Sequence, residues 1–228
     1  MRGTPDTRLV RWLGAAFVAQ FIGSIAAEGL TSSILTGNIS AVMVSVTHNV
    51  GQIRVDILIQ LATWVSIIVM TSLLYVILRG RSRPVALVAL VLWVTEVLLS
   101  AVSVLGLYAL LTVSPDFVRA GAPPTSYYGT LGTLFLGLEQ HAAEVSLLFF
   151  ALGAFLWYGL FFTTRLVPRG LSVWALLAMV LVLAGILPQV WDHSINVPLT
   201  LDIPYLPFEL VVGLWLLVRG ASPAFSTA

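Results

Sequence analysis

The chain has 228 residues, 59% hydrophobic and only 9% charged, with a net charge of +1 at pH 7 and a mean hydropathy of +1.01. A soluble domain of this length cannot hide so much apolar surface, so lipid is the expected solvent, and the small net charge argues against nucleic-acid binding, which needs a clustered basic face. Having no cysteine, the chain lacks disulfides, thiolate catalysis, Cys-ligated zinc and iron–sulfur clusters; having no lysine, it cannot form a Schiff base.

In chain order, the first spanning segment runs from Leu13 to about Leu30. Arg8 and Arg11 before it and Ser24-Ile25-Ala26-Ala27 near its end give it some likeness to a secretory signal, but it is expected to be a retained anchor. Residues 31–51 are only moderately apolar and hold Asn38, His48 and Asn49, which predicts an outer loop with an amphipathic lead into the next helix. Asn38-Ile39-Ser40 has the form of a glycosylation sequon and is taken as chance. The second span covers about Ile57 to Leu78 and stops at Arg79-Gly80-Arg81-Ser82-Arg83. The third starts at Pro84, a residue suited to a first helical turn, and continues to about Leu111, with Ser114-Pro115-Asp116 as its expected end.

From Thr130 to Thr164 the helical pattern exceeds one bilayer crossing, which divides it into an outer amphipathic part and a fourth span from about Ala142 to Phe162, closed by Arg165 and Arg169. The fifth span is Leu171 to Leu187. A loop from Pro188 to Pro204 follows, with Trp191, Asp192, His193 and Asp202 in it. The sixth, from about Tyr205 to Val218, is short and ends at Arg219. The fold class is therefore all-α: a six-span helical bundle forming a single transmembrane domain, with both termini on one side.

Orientation follows from arginines in the short connections. Arg2, Arg8, Arg11, Arg79, Arg81, Arg83, Arg165, Arg169 and Arg219 share one face, and only Arg54 and Arg119 lie on the other, which makes the first face cytoplasmic and places the protein in a prokaryotic plasma membrane. Trp12, Tyr127, Tyr128, Trp174, Trp191 and Tyr205 fall near the predicted boundaries as interfacial anchors.

Counted from the cytoplasmic arginines at about 1.5 Å per residue, Glu96 lies ~18 Å in and Glu209 ~15 Å in, both near mid-bilayer. An ionised acid there costs about 2.5–3.5 kcal/mol even on a lenient scale, so each is expected to be protonated, paired or facing water. Together they read as a proton or cation site of the third and sixth spans, or as two separate interhelical hydrogen bonds. A second group, Glu28, Arg54, Asp56, Glu139, His141 and Glu144, falls ~25–40 Å from the cytoplasmic arginines. His141 and Glu144 are three apart and can share a helix face. Arg54 needs a partner if buried, with Glu28, Asp56 or Glu144 at the nearest depth. No His-Glu-x-x-His, nucleophile elbow, P-loop or Gly-x-Gly-x-x-Gly occurs, so no metal, cofactor or catalytic residue is assigned.

Two segments carry a family resemblance: Arg165-Leu-Val-Pro-Arg-Gly-Leu-Ser-Val-Trp174 after the fourth span, and Glu209-Leu-Val-Val-Gly-Leu-Trp-Leu-Leu-Val-Arg219-Gly220 at the last. With Gln52-Ile-Arg54 and Thr95-Glu96, they resemble the bacterial multi-pass family called domain of unknown function 4386, from about Arg8 to Gly220. The resemblance implies a six-span membrane protein with polar residues at Arg54, Glu96, His141 and Glu209, and no established activity. Three functions are expected to compete. One is a module binding a small lipophilic or ionic ligand between its helices for transport or sensing, with Glu96 and Glu209 facing the interior. Another is an intramembrane enzyme using His141 with Glu144 or Glu139 as an acid–base pair. The third is a structural accessory subunit of a larger membrane complex.

Overall fold

A computed structural model describes residues 6–121, 123, 126–192, 195 and 204–225. Arg2, His193 and Asp202, which the sequence placed respectively on the cytoplasmic face and in the outer loop, lie outside the described residues. Among those described, seven α-helices form: α1 (Thr7–Thr31), α2 (Ile39–His48), α3 (Val50–Leu78), α4 (Arg83–Arg119), α5 (Tyr127–Thr164), α6 (Arg169–Trp191) and α7 (Leu206–Arg219). Five of these, α1 and α3 to α6, are long and apolar enough to cross a membrane. The expected sixth span corresponds to α7, whose 14 residues rise only ~21 Å against a hydrocarbon core of about 30 Å.

The long helices are apolar on both faces. In α4, Ala86, Ala89, Trp93, Val97, Val104 and Leu107 are buried while Leu87, Val88, Val91, Leu98 and Leu105 are exposed. An outward stripe of that kind is costly in water and matches lipid chains.

Several helices run past the boundaries that proline and polarity suggested. The 31–51 segment contains α2, which Asn38 caps: its side-chain oxygen accepts the Ala41 N–H at 2.9 Å, giving the asparagine of the apparent sequon a structural task. Helix α4 continues through Pro115 to Arg119, α6 continues through Pro188 to Trp191, and α5 is unbroken from Tyr127 to Thr164. A proline inside a helix forfeits one hydrogen bond, whereas unwinding the turn in an apolar medium orphans several backbone groups at several kcal/mol each, so continuing is the smaller loss. At Pro115 the neighbouring Ser114 hydroxyl also donates to the Leu110 carbonyl at 2.7 Å, and Phe117 beyond it is fully buried. Arg165 ends α5 in the left-handed conformation, φ 56°, where its exposed side chain leaves the core to Leu166 and Val167.

The chain divides into two compact units, residues 1–21, 64–97 and 144–228 in the first and 22–63 and 98–143 in the second, so that α1, α3, α4 and α5 contribute residues to both. The core of the first unit gathers Leu13 and Phe17 of α1, Met70 and Leu74 of α3, Trp93 of α4, Trp157 and Phe161 of α5, Met179 of α6, and Phe208 and Val212 of α7. Here α1 and α7 meet backbone to backbone. A Cβ added at Gly14 would press on the Leu217 nitrogen and stand 2.7 Å from the Gly213 carbonyl, and one at Gly213 would stand 3.0 Å from the Phe17 Cβ. Position 14 opposite 217 and 17 opposite 213 make the pair antiparallel.

In the second unit α1 and α3 are antiparallel too, with Gly23 against Thr63 and the Gln52 side chain donating to the Leu30 carbonyl at 2.6 Å, which satisfies one orphan acceptor at the end of α1. Helix α2 packs Met43 onto Gly132 of α5, and α4 reaches α5 at Gly106, where a Cβ would lie 2.8 Å from the Phe135 carbonyl and 2.9 Å from the Glu139 nitrogen.

These close approaches make a direct test. Gly14→Leu is expected to lower the melting temperature of the detergent-solubilised protein by an amount equivalent to about 1–3 kcal/mol or more, because the clash is with backbone. Gly159→Ala, where nothing stands within 4 Å of an added Cβ, is expected to be neutral or to gain up to ~1 kcal/mol from helix propensity. Wild-type melting for Gly14→Leu would contradict the α1–α7 contact.

Candidate functional site

Among the described residues three acids are buried: Asp56, Glu96 and Glu209, at 0%, 7% and 3% exposure. Every arginine among the described residues is exposed, so no guanidinium accompanies them into the interior. That separation of signs is the main electrostatic feature of the molecule, since an unpaired buried charge is the most costly arrangement a core can hold.

Glu96 and Glu209 both belong to the first unit. Glu209 sits in the first turn of α7, and three side chains meet around it. The Tyr205 hydroxyl donates to Glu209 Oε1, the Gln20 amide of α1 hydrogen-bonds to the same carboxyl, and the Tyr158 hydroxyl of α5 lies 3.2 Å from that of Tyr205. Phe208 stacks edge-on against Tyr158 at 4.9 Å and Trp174 at 6.0 Å, and Phe150 edge-on against Tyr205 at 5.5 Å. The Trp174 indole N–H donates to the Pro204 carbonyl at 2.9 Å, fixing the backbone as it enters α7.

Glu96 is placed by the α4–α5 contact. One turn before it, Trp93 lies stacked on Phe150 at 5.8 Å and edge-on to Trp157 at 6.2 Å, with its N–H on the Phe150 carbonyl at 3.0 Å. Only a glycine at 153 leaves room for that indole, because an added Cβ would stand 2.5 Å from its Cδ1. The Ser146 hydroxyl then donates to the Glu96 carbonyl at 3.0 Å. The Glu96 carboxyl senses the charge of Glu209, while its Oε2 and the Oε1 of Gln20 are buried with no hydrogen-bond partner. Both vacant atoms are acceptors and therefore call for a donor.

In the second unit Asp56 accepts from Gln60 at 2.8 Å through Oδ2, and its Oδ1 is buried without a partner. Glu139 receives a long bond of 3.4 Å from Ser103 and interacts electrostatically with Asp56 and Glu28. Glu28 itself is exposed.

The remaining candidates are dispersed. Arg54 is exposed and so needs no buried partner; Arg119, the other outer arginine, pairs with Asp116 at 2.7 Å one turn away. His141 is exposed and belongs to the second unit, whereas Glu144 is half-buried and belongs to the first. Both make interactions of their own. Tyr205, expected at the membrane surface, is 8% exposed and bonded to Glu209; its four-residue spacing from the acid was the available signal, since on a helix such a pair shares one face. Trp12, Tyr127 and Trp191 are strongly exposed, as anchors would be. Gln20 escaped notice as a lone polar residue in an apolar segment, although such a residue inside a span has few uses other than interhelical bonding.

No curated protein and no solved structure matches the chain. The family model described as Domain of unknown function (DUF4386) matches residues 12–220. With that match over most of its length and five helices able to cross a membrane, the chain is a multi-pass membrane protein that belongs to the DUF4386 family.

Proposed function

We propose that this membrane protein binds a small cationic ligand between its helices, at Glu96 and Glu209, in the service of transport or sensing. The observation that carries the reading is the mismatch of buried signs: two carboxyls in one unit, within electrostatic reach of each other, and no described arginine buried with them. A proton or a cationic ligand is what balances such a pair. Vacant acceptors at Gln20 Oε1 and Glu96 Oε2 and the rings of Phe150, Tyr205 and Phe208 favour a ligand with N–H donors or a lipophilic cation, which aromatic faces attract.

The binding reading has a membrane frame. Helix α7 is a sixth crossing, both termini are cytoplasmic, and the membrane is a prokaryotic plasma membrane. Support comes from the division of the chain: eight described arginines of the cytoplasmic set, Arg8, Arg11, Arg79, Arg81, Arg83, Arg165, Arg169 and Arg219, fall in the first unit, and Arg54 and Arg119 fall in the second. Three of the eight lie over aromatic rings, Arg79 on Tyr75, Arg169 on Phe162 and Arg219 on Trp215, the packing by which a long cationic side chain spans an interface.

The cysteine-free sequence is a ready background for topology mapping. In intact cells, Ser126→Cys is expected to react with a membrane-impermeant maleimide, while Ser82→Cys and Ser222→Cys react only after permeabilisation; labelling of Ser82→Cys in sealed cells would reverse the orientation. For the site, thermal melts with tetramethylammonium, tetraphenylphosphonium and spermidine are expected to give at least one saturable rise of several degrees. That rise should vanish in Glu96→Gln and Glu209→Gln and persist in Glu144→Gln. A response of equal size in Glu96→Gln would place the ligand elsewhere.

A further inference from the structure

We propose that Asp56 is the anchoring carboxyl of a second site, in the second unit, for a monovalent cation, an alkali ion or a proton. The register of α1 and α3 places it. Gly23 faces Thr63, and Leu30 bonds to Gln52, so Glu28 comes level with the turn of α3 that holds Asp56. From the other side, Gly106 brings the α4 and α5 backbones together at Glu139, and Ser103 of α4 donates to that carboxyl at 3.4 Å. Three helices, α1, α3 and α5, thus bring one acid each to a common region, and the three interact electrostatically.

Acids gathered in this way are not in themselves a site, since exposed carboxylates are hydrated. Asp56 supplies the second observation. It is fully buried, Gln60 donates to its Oδ2, and its Oδ1 is buried with no hydrogen-bond partner. An acceptor in that state is completed by a proton, a water or a cation. The charged residues and histidines of the second unit besides Asp56 are Glu28, His48, Arg54, Asp116, Arg119, Glu139 and His141, and of these Glu28 and Glu139 interact with Asp56. His48 is exposed, and Arg54 is exposed too, two residues from Asp56 on a different face. The arrangement lacks the acid density that a divalent ion uses: among the described residues no three His, Asp or Glu side chains group closely enough to hold a metal on their own. A single positive charge, completed by neutral oxygens such as that of Ser103, fits the vacancy.

The test uses the whole protein in detergent, melted in sodium chloride or potassium chloride against choline chloride at constant ionic strength, and separately across a pH series in choline chloride. Wild type is expected to show a saturable rise of several degrees in one of the two titrations: dependence on sodium or potassium identifies an alkali ion, and dependence on pH alone identifies a proton. Asp56→Asn, which keeps the shape and the Gln60 contact, is expected to abolish the response, and Glu139→Gln to weaken it several-fold. Glu96→Gln should leave it intact, which separates this site from the one in the first unit. Equal responses in wild type and Asp56→Asn, or none in wild type, overturn the proposal. Should Asp56→Asn fail to fold, an undiminished response in Glu139→Gln overturns it instead.

Discussion

A carboxylate taken out of water must be matched by a positive charge, by donors or by a proton, and the layout of this protein follows from how it meets that constraint. Ten of the eleven arginines are among the described residues, and all ten stay at the surface. Three acids do not. The interior is therefore built to carry negative groups without a resident cation, and the side chains around them are neutral donors: Tyr205 and Gln20 at Glu209, Gln60 at Asp56. Neutral donors can hold a carboxyl in place without supplying a positive charge. A structural ion pair would have been closed by arginine, and none of the ten described arginines is buried there.

Holding those donors in position requires helices to approach closely, and glycine is what allows it. Gly14 and Gly213 let α1 lie on α7, which brings Gln20 to Glu209; Gly153 admits the Trp93 indole, which sets the α4–α5 register one turn from Glu96; Gly106 performs the same service beside Glu139. Small residues at helix contacts are the usual way to pack helices where no hydrophobic driving force separates protein from lipid. In each case here a polar bond lies one to two turns from the small residue, so packing and polar placement are set together.

Much of this could be read from the residues and some could not, for definable reasons. The long helices were legible because a span must be continuously apolar; counting residues from the arginines set an expected depth for Glu96 and Glu209 but said nothing of their facing, which their burial records. Helix ends were less legible. Pro115 and Pro188 looked like terminators because proline breaks helices in water, where a freed carbonyl finds solvent; an apolar surrounding removes that alternative and the helices continue. The outer polar residues divided for a different reason. Arg54 and Asp56 are two positions apart, so on one helix they point in different directions, one outward and one in, and only knowledge of the facing tells which is which. Tyr205 misled because tyrosine is common at membrane surfaces, and its role became evident only once α7 was seen to begin at Leu206.

The start of α7 joins these threads. Helix α7 rises only ~21 Å, and its first turn has backbone N–H groups with no helical partner. In an apolar setting such groups persist only where protein covers them or where they border a polar space. The Trp174 bond to the Pro204 carbonyl and the burial of Tyr205 and Phe208 supply the cover. Glu209 supplies the other half, an acid placed at the positive end of the helix dipole, where a negative charge is best tolerated. Extending α7 to a full span would have removed the free N-terminus and left Glu209 in a helix interior without that field. Its shortness and its acid are therefore one feature: the helix stops where the carboxyl needs it to stop.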